Sequence, residues 1–124
     1  MKFEIAKAPL LEGLQKVQNV VSLRSTLPIL SNVLLNADKD GLWLTTTDLD
    51  VTVRCRVDAN VTKPGATTLP VRRMASIVRE LPDSMIEVEI DDKNQATFNC
   101  ASSFFKLIGL SEDEFPPIPK ADGN

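Results

Sequence analysis

Asp48 and Asp50, in the segment Thr47-Asp48-Leu49-Asp50, are spaced so that two carboxylates could share a magnesium ion or trade a proton. Aspartate is equally a turn residue between strands, because its carboxylate accepts from nearby backbone N–H groups. The chain has no histidine, which removes the commonest general base and metal ligand. Its five glycines form neither a phosphate-cradling loop nor a dinucleotide fingerprint. With neither partner at hand, the turn is the better reading of Asp48 and Asp50. Cys55 and Cys100 lie far apart, with no metal-knuckle spacing, in apolar-patterned strands. They read as free thiols suited to a reducing compartment. Glu112-Asp113-Glu114 reads as solvated acidic surface. The chain offers poor raw material for catalysis, and no cofactor is expected. What remains are long cations: Lys16, Arg24, Arg72, Arg73 and Arg79.

The elements that must place those cations follow from periodicity. Phe3 and Ile5 alternate with Lys2 and Glu4 as a short strand. After Pro9, residues Leu10, Leu11, Leu14, Val17 and Val21 recur at helical spacing, with Glu12, Gln15, Lys16 and Asn19 opposite; Gly13 weakens this helix. Residues 22–28 form a polar connection holding Arg24. A strand is expected over Ile29–Asn36, then a turn at Asp38-Lys39-Asp40-Gly41 and a strand over Leu42–Thr47. Val51, Val53, Cys55 and Val57 alternate with Thr52, Arg54, Arg56 and Asp58 as a half-buried strand. Pro64-Gly65 turns into a short strand at Thr67–Leu69.

A second helix spans Val71–Leu81, with Met74, Ile77, Val78 and Leu81 as its buried stripe. Arg72, Ser76 and Arg79 lie nearly opposite, with Arg73 on the flank. Strands at Met85–Ile90, Gln95–Cys100 and Ser103–Ile108 complete the order. The fold class is α+β, with two helices on one face of an antiparallel sheet. The halves repeat weakly in element order.

Charge follows these elements. The 124 residues carry a net −3, 43% hydrophobic and 25% charged, as expected of one globular domain. That sum argues against a nucleic-acid partner only if charge is evenly spread. Residues 1–30 are net +2 and residues 72–80 net +2, whereas residues 31–71 are −1 and residues 81–124 are −6. Helices covering one face would therefore present a basic surface opposite an acidic one. Lys16, Arg72 and Arg79 are either phosphate contacts or ordinary solvated helix charges. Arg24, in a loop, has no helix-propensity reason to be a long cation.

Phe104-Phe105-Lys106-Leu107-Ile108 is apolar on both faces, so this last strand is either covered twice or set against a partner. No apolar run reaches the length of a membrane span, and Met1-Lys2-Phe3-Glu4 does not open a secretory signal. The expected setting is cytoplasmic.

Specific stretches then suggest a family. Met1-Lys2-Phe3, Arg24-Ser25-Thr26-Leu27-Pro28-Ile29-Leu30-Ser31-Asn32, Leu44-Thr45-Thr46-Thr47-Asp48-Leu49-Asp50, Pro64-Gly65-Ala66-Thr67-Thr68-Leu69-Pro70-Val71-Arg72 and Phe115-Pro116 occur in one order. Together they closely resemble the N-terminal domain of the bacterial DNA polymerase III beta subunits, the sliding clamps. The resemblance covers essentially the whole chain.

It implies a DNA-clamp domain over residues 1–115, with 116–124 opening an inter-domain linker. Chains of this family carry three similar domains, and two chains close head to tail around duplex DNA without sequence readout. Helices line the hole and sheet forms the outside. Arg24 then occupies a DNA-contacting position, and Arg72 and Arg79 occupy basic lining positions. Phe105 and Leu107 match the ring interface, exposed on an edge strand where the partner domain is missing. Arg73 stands where the family carries an interface lysine, with Met74 and Ile77 as apolar neighbours. Clamp-loader and polymerase peptides would bind later domains outside this sequence. The rival reading is an α+β protein-interaction module with incidental cations.

Overall fold

The computed structural model describes residues 1–19, 21 and 28–116. Strand β1 (Lys2–Ala6) runs without a loop into helix α1 (Lys7–Gln18). A meander of three strands follows, β2 (Asn32–Asp38), β3 (Gly41–Thr47) and β4 (Thr52–Val57). After β5 (Asn60–Lys63), the same sequence of elements recurs. Strand β6 (Gly65–Pro70) runs straight into α2 (Val71–Glu80), and β7 (Met85–Ile90), β8 (Gln95–Cys100) and β9 (Ser103–Ile108) form the second meander. The repeat suggested by element order is a repeat of topology.

The single expected sheet is two antiparallel sheets, ordered β4-β3-β2-β6 and β5-β1-β7-β8-β9. The opening strand of each half crosses into the other half's meander. Phe3 pairs with Val88 and Ile5 with Ile86, while Val33 pairs with Leu69 and Leu35 with Thr67. Neither half can complete its sheet alone, so both helices pack over one shared core. Phe3, Ile5, Leu14, Leu44, Met74 and Phe98 are all essentially inaccessible there. The fold is α+β, as expected, with the helix pair on the inner side of both sheets. No helix among the described residues is long and apolar enough to cross a membrane.

Local departures from the sequence pattern have physical causes. Pro28–Ser31 is a short 3-10 helix, so β2 begins at Asn32 rather than Ile29. The Asn32 amide is buried and donates to Thr68 Oγ1 at 3.0 Å, which pins the strand start to β6. Strand β5 has no alternating apolar pattern to betray it. It is held by backbone pairing with β1, Phe3 opposite Val61.

Gly13 faces the sheet. A Cβ there would stand 2.8 Å from Val57 Cγ2 and 3.0 Å from Leu44 Cδ1. What reads as a helix weakness lets α1 lie close on β3 and β4, while Leu11 moves to the half-buried flank. In α2 the buried stripe is Val71, Met74, Ala75 and Val78, with Ile77 half-buried beside it.

Gly109 fixes where the second half closes on the first. Leu110 exchanges two backbone hydrogen bonds with Thr68, each 3.0 Å. A Cβ on Gly109 would collide with the Thr68 carbonyl oxygen. Gly109→Ala should therefore cost about 1–3 kcal/mol, read as a lower urea midpoint with an unchanged slope.

Candidate nucleic-acid interface

The two helices lie antiparallel and tie each other's ends. Lys7 Nζ, in the first residue of α1, donates to the carbonyls of Arg79 (3.1 Å) and Leu81 (2.6 Å) at the end of α2. In return Arg72 Nη2, at the start of α2, reaches the Val21 carbonyl just past α1 at 3.4 Å. A cation at a helix C-terminus satisfies orphan carbonyls and complements the negative end of the dipole. Lys7 carries no pattern signal in the sequence beyond a cation where a helix starts, so its structural role emerges only from the packing.

Neither helix has a side-chain N-cap or an acidic residue in its first turn. The positive end of α2 instead carries Arg72 and Arg73. A cation there is unfavourable by about 0.3–1 kcal/mol at a surface site. Arg72 recovers some of this through Val21. Arg73, exposed, has no ion-pair partner among the described residues. Arg79 is exposed in the last turn of α2. Lys16 is exposed in the last turn of α1 and stands 3.8 Å from Glu12, one turn back. Such a surface pair contributes a few tenths of a kcal/mol at most, roughly, and leaves the ammonium free to rearrange. Lys16, Arg72, Arg73 and Arg79 thus occupy the solvent side of one helix pair. Arg24 lies outside the described residues.

The opposite surface divides by sheet. On β7, Ile86, Val88 and Ile90 point into the core, so Glu87 and Glu89 face outward, joined by Glu4 of β1. Lys2, Lys63 and Lys106 lie in the same cross-strand row as Glu89, so this face carries both signs rather than the acidic excess the charge division predicts. The outer face of the other sheet is basic along β4. Arg54 stacks over the Trp43 ring at 4.2 Å, and Arg56 is bound to Asp58 (2.9 Å) and to the Asp40 carbonyl (2.6 Å).

The structure places the expected interface residues at different depths. Strand β9 is an edge strand, as anticipated. However, Phe105 pairs with Phe98 and Leu107 with Ala96 on the inner face. Leu107 is only 4% exposed and belongs to the core, with Phe105 half-buried against it. The residues this strand turns to solvent are Phe104 and Ile108, 59% and 65% exposed. Met74 is fully buried on the inner side of α2; Arg73 is exposed and Ile77 half-buried. The apolar pattern on both faces of β9 hid which face was which.

The carboxylate pair resolves as a turn. Asp48 Oδ1 accepts from the backbone N–H groups of Asp50 (2.9 Å) and Val51 (2.7 Å). Among the described residues no cluster of carboxylate and thiol side chains is arranged to hold a metal. Cys55 and Cys100 are free thiols, and burial pushes Cys55 above the usual thiol range.

An α+β domain of two exchanged halves, with a basic helix pair on one side, belongs to the class of DNA-clamp domains. A family model described as the N-terminal domain of the DNA polymerase III beta subunit matches residues 1–119. The beta sliding clamp of Chlamydia muridarum is 40% identical over 119 residues, covering 96% of this chain and 32% of the relative. Among solved structures, Caulobacter crescentus pol III beta superposes with a TM-score of 0.91 at 38% identity, covering 97% of this chain and 32% of that one. The DNA polymerase sliding clamp of Bacillus subtilis gives 0.90 at 31% identity, covering 97% and 34%. The chain belongs to the DNA polymerase III beta subunit family. It spans about a third of the length of the curated relatives it matches.

The Asp48 turn makes a pH prediction. Backbone N–H donors, first from Val51 and then Asp50, hold its carboxyl below the usual aspartate range. A depressed native pKa contributes stability that is present above the unfolded value and lost as pH falls through the native one. Melting temperatures of the wild type and Asp48→Asn should therefore differ most at neutral pH and converge in acid, below about pH 4.

Proposed function

We propose that this domain is the first segment of a DNA sliding clamp, a non-catalytic ring that tethers the replicative polymerase to duplex DNA in the cytoplasm. The observation that carries this reading is the antiparallel helix pair with Lys16, Arg72 and Arg79 on its solvent side. Phosphate contacts made by such a face are sequence-neutral and salt-dependent, which suits a protein that must slide. Arg24 is a further DNA contact on this reading, by its match to the family's sequence, and Arg73 belongs to the ring joint beside α2. Residues 1–115 form the clamp domain on this reading, and 116–124 begin the link to the next one.

The sheet edges favour assembly into a ring. Leu110 bridges to β6 at one edge of the four-stranded sheet, while β5 and β9 are the two edges of the five-stranded one. Among the described residues, nothing pairs with the outer sides of β4, β5 and β9. Of these, β4 and β9 are the last strands of the two meanders, related by the internal repeat. A unit open at two equivalent edges can continue its sheets into neighbours on both sides, and closure of a head-to-tail arrangement gives a ring. At the β9 joint, Phe105 lies half-buried at the inner rim and is completed by a neighbouring domain. Leu107 supports that joint from within the core. Polymerase and clamp-loader peptides bind domains beyond this sequence.

The test is duplex affinity of the full-length protein as a function of salt. Changing Lys16, Arg72 and Arg79 to alanine should flatten the log–log salt slope by about 0.9 for each phosphate no longer neutralised, for any duplex sequence. An unchanged slope would remove the basic face and favour a protein-interaction module.

A further inference from the structure

The outer face of the five-stranded sheet sets like charges directly opposite one another, twice. Lys63 of β5 pairs with Lys2 of β1, and Glu4 of β1 pairs with Glu87 of β7. Lys63 reaches this face through a shift of register between Lys2 and Phe3, where Thr62 is the extra residue. Val61 packs against the core, so strict alternation would have turned Lys63 inward with it. Thr62 Oγ1 donates to the Lys2 carbonyl at 3.1 Å and holds the bulge. The glutamate pair has amides on both sides in its row, Asn60 opposite Glu4 and Asn99 opposite Glu87. Lys2 has Glu89 on its far side, yet the ion pairs among the described residues are Lys16 with Glu12 and Arg56 with Asp58. A sheet face selected for stability alone would set lysine opposite glutamate, because like charges directly opposite are destabilising.

Lys2, Glu4, Lys63 and Glu87 line one groove of about 350 Å³, with Asn60 and Thr62 on its β5 side. Its two halves have opposite sign. Lys2 and Glu4 are alternate residues of β1, so the cationic and anionic halves lie roughly 7 Å apart. An extended peptide has the same spacing between alternate side chains, both turned to one face. An acidic side chain fits between the two ammoniums. The two carboxylates present their oxygens to a cation, and the planar fork of arginine engages them better than a single ammonium does. The glutamates disfavour a phosphate-bearing ligand. The register shift and Lys63 also discourage addition of a further strand along the β5 edge, so the segment lies across the face and binds through its side chains.

We propose that this groove docks an extended segment of a partner protein that carries an acidic side chain and an arginine two residues apart. The site stands independently of the sliding-clamp reading. The test titrates the full-length protein at low salt with the capped pentapeptide Thr-Glu-Thr-Arg-Thr, and with Thr-Glu-Arg-Thr-Thr, whose two charges face opposite ways in extended backbone. The first peptide should bind saturably, and about threefold or more tighter than the second. Lys63→Ala and Glu87→Ala should each weaken it by a similar factor. Their melting temperatures should be unchanged or higher, since each substitution removes a like-charge contact. Equal affinity for the two peptides, or no saturable binding at millimolar peptide, would overturn the proposal. So would full affinity in either variant, or a fall in melting temperature that accompanies the loss. Self-association of the wild type that Lys63→Ala abolishes, without peptide binding, would make the groove a contact between copies and would also overturn it.

Discussion

The exchange of β1 and β6 between the two halves is the constraint on which the rest of the structure depends. Each strand enters its helix without a loop while pairing in the other half's sheet, so helix positions are dictated by strand register. Phe3 opposite Val88 and Leu35 opposite Thr67 fix α1 and α2 side by side and antiparallel. That arrangement lets Lys7 and Arg72 each serve the end of the other helix. A slip of one residue in either exchanged strand would turn its apolar face to solvent and undo the shared core. The basic face is therefore a consequence of sheet pairing, although no strand contributes a residue to it.

Charge placement is where local cost and use part company. Arg72 and Arg73 stand at the positive end of α2, and neither helix opens with an acidic or capping side chain. A sequence selected for helix stability alone would place aspartate or serine there. Lys7 shows how one such cation is accommodated, through carbonyls at the far end of its neighbour. Arg73 has no ion-pair compensation among the described residues, and it shares a side with Lys16 and with Arg79, whose place in the last turn already suits the dipole. A phosphate backbone would supply that compensation. The net charge of −3 hides this, because residues 81–124 carry a net −6, most of it outside the strands at Asp83, Asp91, Asp92 and Glu112–Glu114.

Much of this was legible in the sequence, wherever one face of an element is buried and the other wet. Strands β7, β8 and β9 match their expected bounds, since Ile86, Val88 and Ile90 alternate with Glu87 and Glu89. Lys16, Arg72 and Arg79 fall on the solvent side as the helical wheel predicts. Where the periodicity is silent, the reading fails. Strand β5 has no buried stripe, and pairing across the halves leaves no local trace, so one sheet was expected where two exist. Phe104-Phe105-Lys106-Leu107-Ile108 is apolar in both directions, and only pairing with Phe98 and Ala96 decides that Leu107 is core and Phe104 is surface. Leu49 has left-handed backbone, φ = 82°, which is likewise invisible until backbone angles are known.

The central claim, that this domain belongs to a ring held on DNA by topology, is tested most directly by retention on circular against linear duplex. The full-length protein is loaded on a nicked circle, free protein is removed at a salt concentration that abolishes simple phosphate binding, and the circle is then either left intact or cut once. A topological ring should stay on the intact circle and be lost through the ends of the cut one. Equal retention on both, or equal loss from both, would contradict it.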